Sequence, residues 1–164
     1  MRELFVGILL ILNMAAIKGT ADFVAKANPG FLEINGKGGV VRSDDFSQAG
    51  GKISGTFKVK GESFDTGMDT RNEHMREKYL EVEKYPDIIF KLDPVLIAAG
   101  TSKAFTGMLD LHGKKGKVSG IVTFTSANAV ASFSVDVTSF GIAVPTYKLL
   151  TVAKNVDIKV TIPL

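Results

Sequence analysis

The sequence contains no cysteine, and several other residue types are absent or scarce. The lack of cysteine excludes disulfide bonds, thiolate catalysis, Cys-ligated metal sites and a lipid attached to an N-terminal cysteine. Tryptophan is also absent, and the chain has only 5 prolines and 2 histidines. A chain of 164 residues without cross-links must be held together by its hydrophobic core, and this length favours a single domain.

Neither sign of charge is in large excess. Lysine and arginine number 20 against 17 aspartates and glutamates, which gives a net charge of +3. Nucleic-acid binding needs a concentrated basic face, whereas the basic residues here are spread along the chain. The sequence therefore predicts no nucleic-acid partner.

Long apolar runs are missing except at the N-terminus. There, Arg2 precedes the uninterrupted run Leu4–Leu12, and small residues follow at Gly19–Ala21. This order is typical of a secretory signal. A membrane anchor is the alternative, but the apolar segment has only about 14 residues, against roughly 20 needed to span a bilayer. The sequence predicts a signal peptide at 1–21, a mature domain at 22–164, and a periplasmic or secreted location.

Beyond residue 21, apolar and polar residues mostly alternate, as in strands with one buried face. In Lys52–Lys60, for example, Ile53, Phe57 and Val59 share one face. The same period recurs in Phe105–Leu111, Val118–Phe124, Ala131–Val137 and Val156–Ile162, with weaker candidates at Asp22–Ala27, Gly30–Gly36 and Pro86–Asp93. About eight strands separated by Gly- and Asn-containing turns predict an all-β fold, an eight-stranded antiparallel, lipocalin-like barrel. Such a barrel either fills its interior with side chains or encloses one small ligand.

One charged segment departs from the strand pattern. Thr70 and Glu73 have the spacing of a capping box, Met75 and Tyr79 lie four residues apart, and Pro86 stops any helix before it. These features predict one short helix at about 70–80, lying across an end of the barrel. The glycines within the strands, Gly55, Gly107 and Gly120, predict tight bends.

The run FDTGMDTRNEHMREKYLEVEKYPDIIFK, residues Phe64–Lys91, resembles the YceI-like family of exported barrels that bind lipids with polyisoprenoid-type tails. The following hairpin, Phe105–Phe124, and the last strand also fit this family, whereas the turn at His112–Lys117 and the first strands depart from it. The resemblance implies a binding protein that holds a quinone- or polyprenol-type lipid, without catalytic residues, metal or cofactor. The implied ligand-binding residues are Phe57, Val59, Arg71, His74, Met75, Tyr79, Phe90, Leu109, Leu111, Phe124, Phe133 and Val135.

Three further interpretations remain open. Asp69, Glu73 and His74 are suitable groups for acid/base chemistry or metal binding, which would make the protein an enzyme centred on His74. A barrel with a filled interior would instead be a structural or protein-interaction module of the cell envelope. The basic hairpin residues Lys114, Lys115 and Lys117 are either a solvated turn or a transient contact with anionic lipid head groups. A homodimer is compatible with any of these interpretations.

Overall fold

The computed structural model describes residues 16–30 and 32–164. The strands in these residues are β1 (Ile17–Asn28), β2 (Leu32–Ser43), β3 (Ser47–Ala49), β4 (Lys52–Lys60), β5 (Asp87–Leu96), β6 (Ser102–Leu111), β7 (Lys114–Phe124), β8 (Asn128–Asp136), β9 (Thr146–Tyr147) and β10 (Leu150–Pro163). The eight long strands form a closed antiparallel barrel, because β1 pairs with β10 as well as with β2. The short strands β3 and β9 pair with β4 and β10, respectively. The prediction of an eight-stranded antiparallel barrel with one short helix is confirmed.

The antiparallel order brings several connections to one end of the barrel, which we call the helix end. This end holds the β1–β2 turn at Asn28–Gly30, the segment Gly61–Pro86 with the helix, the β6–β7 turn at His112–Gly113, and the segment Val137–Leu149. The opposite end, which we call the far end, holds the start of β1 and the C-terminus. The helix and the longest connections between strands therefore lie at the helix end.

The helix, α1, spans Asp69–His74 and continues as a wide π-helical turn at Met75–Tyr79. Its extent agrees with the prediction, but the predicted capping box is wrong. Met68 is the N-cap residue, no side chain caps the helix start, and Thr70 lies inside the helix. The start of the helix is held in place instead by the buried side chain of Asn72, a residue of the helix itself.

The far end is filled by the larger of two apolar clusters. Phe124 and Val41 are almost completely buried there, and Phe46 packs edge-to-face on Phe57 with ring centroids 6.2 Å apart. A second cluster, which includes Leu111 and Phe140, packs the wall near the helix end. The hydrophobic interior thus closes one end of the barrel and leaves the other to the helix and loops.

The strand glycines make room for neighbouring side chains. A Cβ on Gly107 would lie 2.3 Å from the ring of Phe90, and one on Gly120 would lie 2.4 Å from the carbonyl of Ser132. Gly55 has a φ of +155° beside a register shift between β4 and β5. The bend predicted from Gly55 corresponds to this irregularity, whereas the other two glycines admit aromatic rings and a neighbouring strand.

Most of the predicted signal segment, residues 1–15, lies outside the described residues. The end of that segment, Ile17–Ala21, forms the start of β1 and pairs with β2, and Thr20 and Ala21 also pair with β10. Ala21 itself is 3% exposed. Cleavage after Ala21 stays a prediction, and it would remove five paired residues from the barrel wall. None of the helices in residues 16–30 and 32–164 is long and apolar enough to cross a bilayer.

Candidate ligand cavity

A cavity of about 930 Å³ occupies the barrel interior. Its walls are mainly apolar side chains contributed by strands all around the barrel. This volume falls in the range of pockets that hold small-molecule ligands, roughly 300–1,000 Å³. The interior is therefore hollow, which argues against the filled-barrel interpretation.

Eleven of the twelve residues expected from the sequence to contact a ligand line this cavity: Phe57, Val59, Arg71, His74, Met75, Tyr79, Phe90, Leu109, Leu111, Phe133 and Val135. The exception is Phe124. It is the last residue of β7, at the far end, where its ring is 0% exposed within the larger apolar cluster. Its inward orientation agrees with the strand pattern, but its side chain helps to close the barrel and does not line the cavity.

Three phenylalanines form an aromatic group in the cavity wall. Phe90 and Phe133 are stacked with centroids 6.0 Å apart, and Phe105 lies edge-to-face against both at 6.0 and 5.8 Å. Offset-stacked and edge-to-face pairs are each worth about 0.5–1.5 kcal/mol beyond area burial. The group is therefore a stable part of the wall on which an apolar ligand can pack.

The sequence did not identify the contribution of the first strands or of the β9–β10 hairpin. Phe23 and Ala25 of β1, Ile34 of β2, and Tyr147 and Leu150 beside the hairpin turn all line the cavity. The alternation of apolar residues in Asp22–Ala27 already indicated an inward face. The hairpin has no comparable signal, because its two-residue β9 strand is too short for a period to be recognised.

The mouth of the cavity lies at the helix end. Leu32, Met68 and Tyr147 all line the cavity, and they are 41%, 52% and 70% exposed. Leu149, at the tip of the adjacent hairpin, is 94% exposed. Together these four residues, which we call the apolar rim, border an opening between the β1–β2 turn, the helix and the β9–β10 hairpin.

The helix is tied to the barrel by a buried polar network around Asn72. The Oδ1 atom of Asn72 accepts hydrogen bonds from the backbone N–H of Thr66 at 2.8 Å and from its hydroxyl at 2.7 Å. The Nδ2 atom of Asn72 donates to Asp65 at 2.7 Å. The backbone of Asp65 in turn bridges to Lys37 of β2. Because buried polar groups are costly to leave unpaired, this network holds the helix in one position over the barrel end.

The same network changes the acidity of Asp65. The hydrogen bonds from Asn72 and from the backbone N–H of Gly67 hold the pKa of its carboxyl below the usual value. Both donors stabilise the ionised form. The ionised carboxylate of Asp65 therefore helps to hold the start of the helix in place.

Arg71 is oriented by this network. Its Nε donates to the hydroxyl of Thr66 at 3.0 Å, and its Nη2 donates to the Thr66 carbonyl at 2.6 Å. His74 and Lys78 also line the cavity from the helix, and both are exposed. Among the described residues, no group of three or more His, Asp or Glu side chains is arranged to hold a metal ion. Asp69 and Glu73 are exposed, and neither lines the cavity.

The basic hairpin is also located at the helix end. β6 and β7 are joined by the two-residue turn His112–Gly113, and both turn residues have positive φ, as the tightest hairpin turns require. Lys114, Lys115 and Lys117 are exposed. His112 of the turn is packed against the ring of Tyr85, with centroids 4.6 Å apart.

The family model of the YceI-like domain matches residues 15–164, so the chain belongs to the YceI-like family. Its fold is also similar to solved structures. One is a polyisoprenoid-binding domain from Saccharophagus degradans implicated in plant cell wall breakdown, with a TM-score of 0.67 and 16% identity over 91% of this chain and 97% of that one.

Two other structures have the same fold. The BcnA protein of Burkholderia cenocepacia matches with a TM-score of 0.66 and 18% identity, over 89% of this chain and 96% of that one. The YceI protein of Campylobacter jejuni matches with a TM-score of 0.61 and 16% identity, over 95% of this chain and 86% of that one. No curated protein shows significant similarity to the chain.

Proposed function

We propose that this protein is an exported carrier that holds a lipid with a long isoprenoid-type tail, of the quinone or polyprenol kind, inside its barrel. The observation that supports this proposal most directly is the hollow, apolar interior of about 930 Å³. Each methylene group moved from water into such an interior contributes roughly 0.8 kcal/mol. A long tail therefore needs few polar contacts to be held.

Family membership and the solved polyisoprenoid-binding relative indicate a binding protein and not an enzyme. The cavity fits this role because its walls are mainly apolar, so a bound hydrocarbon tail would leave few polar groups without hydrogen-bond partners. The tail would lie against the aromatic group of Phe90, Phe105 and Phe133. The head group would remain at the mouth, beside the helix.

We also propose that the helix end contacts an anionic membrane surface, from which a lipid could enter the mouth. Two features support this: the exposed apolar rim, and the exposed lysines Lys114, Lys115 and Lys117 on the hairpin whose turn lies at the same end. Each lysine near an anionic surface contributes about 1 kcal/mol. Flotation with vesicles of phosphatidylcholine, with and without phosphatidylserine, measures this contact. Replacement of all three lysines by glutamine should reduce binding only to the anionic vesicles.

Organic extraction of the purified protein followed by mass spectrometry tests the carrier function. We expect a long-chain lipid in the extract, and uptake of a polyprenol or quinone analogue by the delipidated protein. Ala131, which lines the cavity, provides a matched test: Ala131→Trp should block uptake, whereas Ser132→Trp on the outer face should not. An empty extract combined with no uptake of either analogue would rule out the carrier function.

A further inference from the structure

The charged groups that line the cavity are of one sign. Arg71, His74 and Lys78 are the ionisable residues that line it besides two tyrosines, within the part of the chain that the structure describes. Their spacing of three and four residues places them on a single face of the helical segment. No aspartate or glutamate from the described strands or loops lines the cavity.

The acidic residues of the helical segment lie away from the cavity. Asp69, Glu73 and Glu77 alternate with the basic residues in the sequence, yet all three are exposed outside the cavity, where Arg76 also lies. The charge at the mouth is therefore basic only, although the other side of the helix carries both signs. The ion pairs found in residues 16–30 and 32–164 involve other lysines and His112, and none of them includes the three basic residues at the mouth.

The guanidinium of Arg71 is oriented by hydrogen bonds within the protein in a way that suits the binding of an oxyanion. Two of its five N–H donors are bonded to Thr66, and Thr66 is itself bonded to the buried Asn72. The guanidinium is thereby fixed while its other donors remain for a ligand. A fixed guanidinium matches the geometry of phosphate and carboxylate groups, and its hydrogen bonds to such anions are stronger than those to neutral groups.

We propose that the lipid carried by this protein has an anionic head group, a phosphate or a carboxylate, bound at the mouth by Arg71, His74 and Lys78. This inference rests on the proposed carrier function and narrows the ligand of the same cavity to a long-tailed lipid with a phosphate or carboxylate head group, in place of a neutral quinone or alcohol. The apolar interior selects for a long tail of any kind, whereas the basic face of the helix selects among head groups. A neutral alcohol would fill the interior equally well but would leave the basic face without a counter-charge.

Lipids with the same tail and different head groups test the proposal. The probes are geranylgeraniol and geranylgeranyl phosphate, together with a saturated fatty alcohol and the fatty acid of equal length, each measured by displacement of a fluorescent lipid from the delipidated protein. We expect at least one anionic lipid to bind about ten-fold more tightly than its neutral partner, a difference of about 1.4 kcal/mol. The preference should fall as salt is added, because the site is partly exposed. The phosphate and carboxylate arms identify which head group is preferred.

Variants distinguish this head-group preference from the tail-binding function. The double change His74→Gln and Lys78→Gln, which leaves Arg71 in place, should weaken the preference for the anionic lipid without weakening binding of the alcohol. Arg71→Lys should reduce the preference while keeping the charge. Lys84→Gln removes one positive charge from an exposed residue that does not line the cavity and should change nothing.

Each result has one meaning. Equal binding of neutral and anionic lipids at every salt concentration overturns the head-group proposal and leaves the carrier function intact. A preference that is unchanged both by the double substitution and by Arg71→Lys also overturns it. Failure of all four lipids to bind contradicts the carrier function itself.

Discussion

The imidazole of His112 forms a hydrogen bond through Nε2 to the carboxylate of Glu81, although the two residues are 31 positions apart. Nδ1 of the same ring lies 3.2 Å from the carbonyl oxygen of Phe140. Both His112 and Glu81 have left-handed backbone conformations, with φ of 54° and 46°. This contact joins the chain just after the helix to the β6–β7 turn and to the segment after β8, and so fastens three connections at the mouth.

We expect His112→Asn to lower the free energy of unfolding by about 1–2 kcal/mol, the usual cost of removing a partly buried hydrogen bond to a charged group. Asparagine tolerates the left-handed backbone, so the change isolates the loss of the side-chain contacts. Urea unfolding followed by circular dichroism measures the effect. His74→Asn is the matched control, since His74 is exposed, and it should leave stability unchanged. Equal effects of the two changes would contradict the assignment of His112 as a fastening residue.

The lowered pKa of Asp65 predicts a loss of stability in acid. A carboxyl whose folded-state pKa lies below its unfolded value stabilises the fold above about pH 4, and this contribution disappears as the pH falls through the folded-state pKa. Asp65→Asn should therefore be less stable than the native protein at pH 6, and this difference should shrink as the pH is lowered from about 4 to 2.5. Urea midpoints measured at intervals between these values test this. Parallel curves for both proteins would show that Asp65 does not contribute.

Gly107 allows the ring of Phe90 to lie against β6. A Cβ at this position would meet the ring at 2.3 Å and the carbonyl oxygen of Lys91 at 2.5 Å, and the carbonyl cannot move without shifting β5. We expect Gly107→Ala to cost roughly 1–3 kcal/mol, as is usual for overpacking in a core. Gly30→Ala is the control, because a Cβ there would have no heavy atom within 4 Å. A thermal melt that is unchanged in Gly107→Ala would mean that the wall adapts at this position.

The barrel could be predicted from the sequence because most of its long strands carry their own signal. Alternation in segments such as Lys52–Lys60 is local, and one-faced burial forces the strands around a shared interior. Most of the cavity-lining residues could be predicted from the same pattern. Phe124 was the exception, because alternation shows whether a side chain points into the barrel but not how far along the barrel axis it lies. The contact between His112 and Glu81 could not be predicted, since neither residue is near the other in sequence. The grouping of Arg71, His74 and Lys78 at the mouth could not be predicted either, because in the sequence these three residues alternate with acidic ones.

The start of β1 predicts where the mature chain begins if the N-terminal segment is a signal. Residues Ile17–Ala21 all pair with β2, and Thr20 and Ala21 also pair with β10, so a barrel without them would expose unpaired edges at the far end. The sequence pattern predicts cleavage after Ala21, whereas this pairing favours an earlier site, at or before Ala16. Intact-mass measurement of the exported protein determines the site. Chains begun at Ile17 and at Asp22 provide a matched comparison, in which the shorter chain should unfold at a lower urea concentration. Equal stability of the two chains would mean that the first five residues of β1 do not support the barrel, and a mature N-terminus at Asp22 would show that the cell removes them.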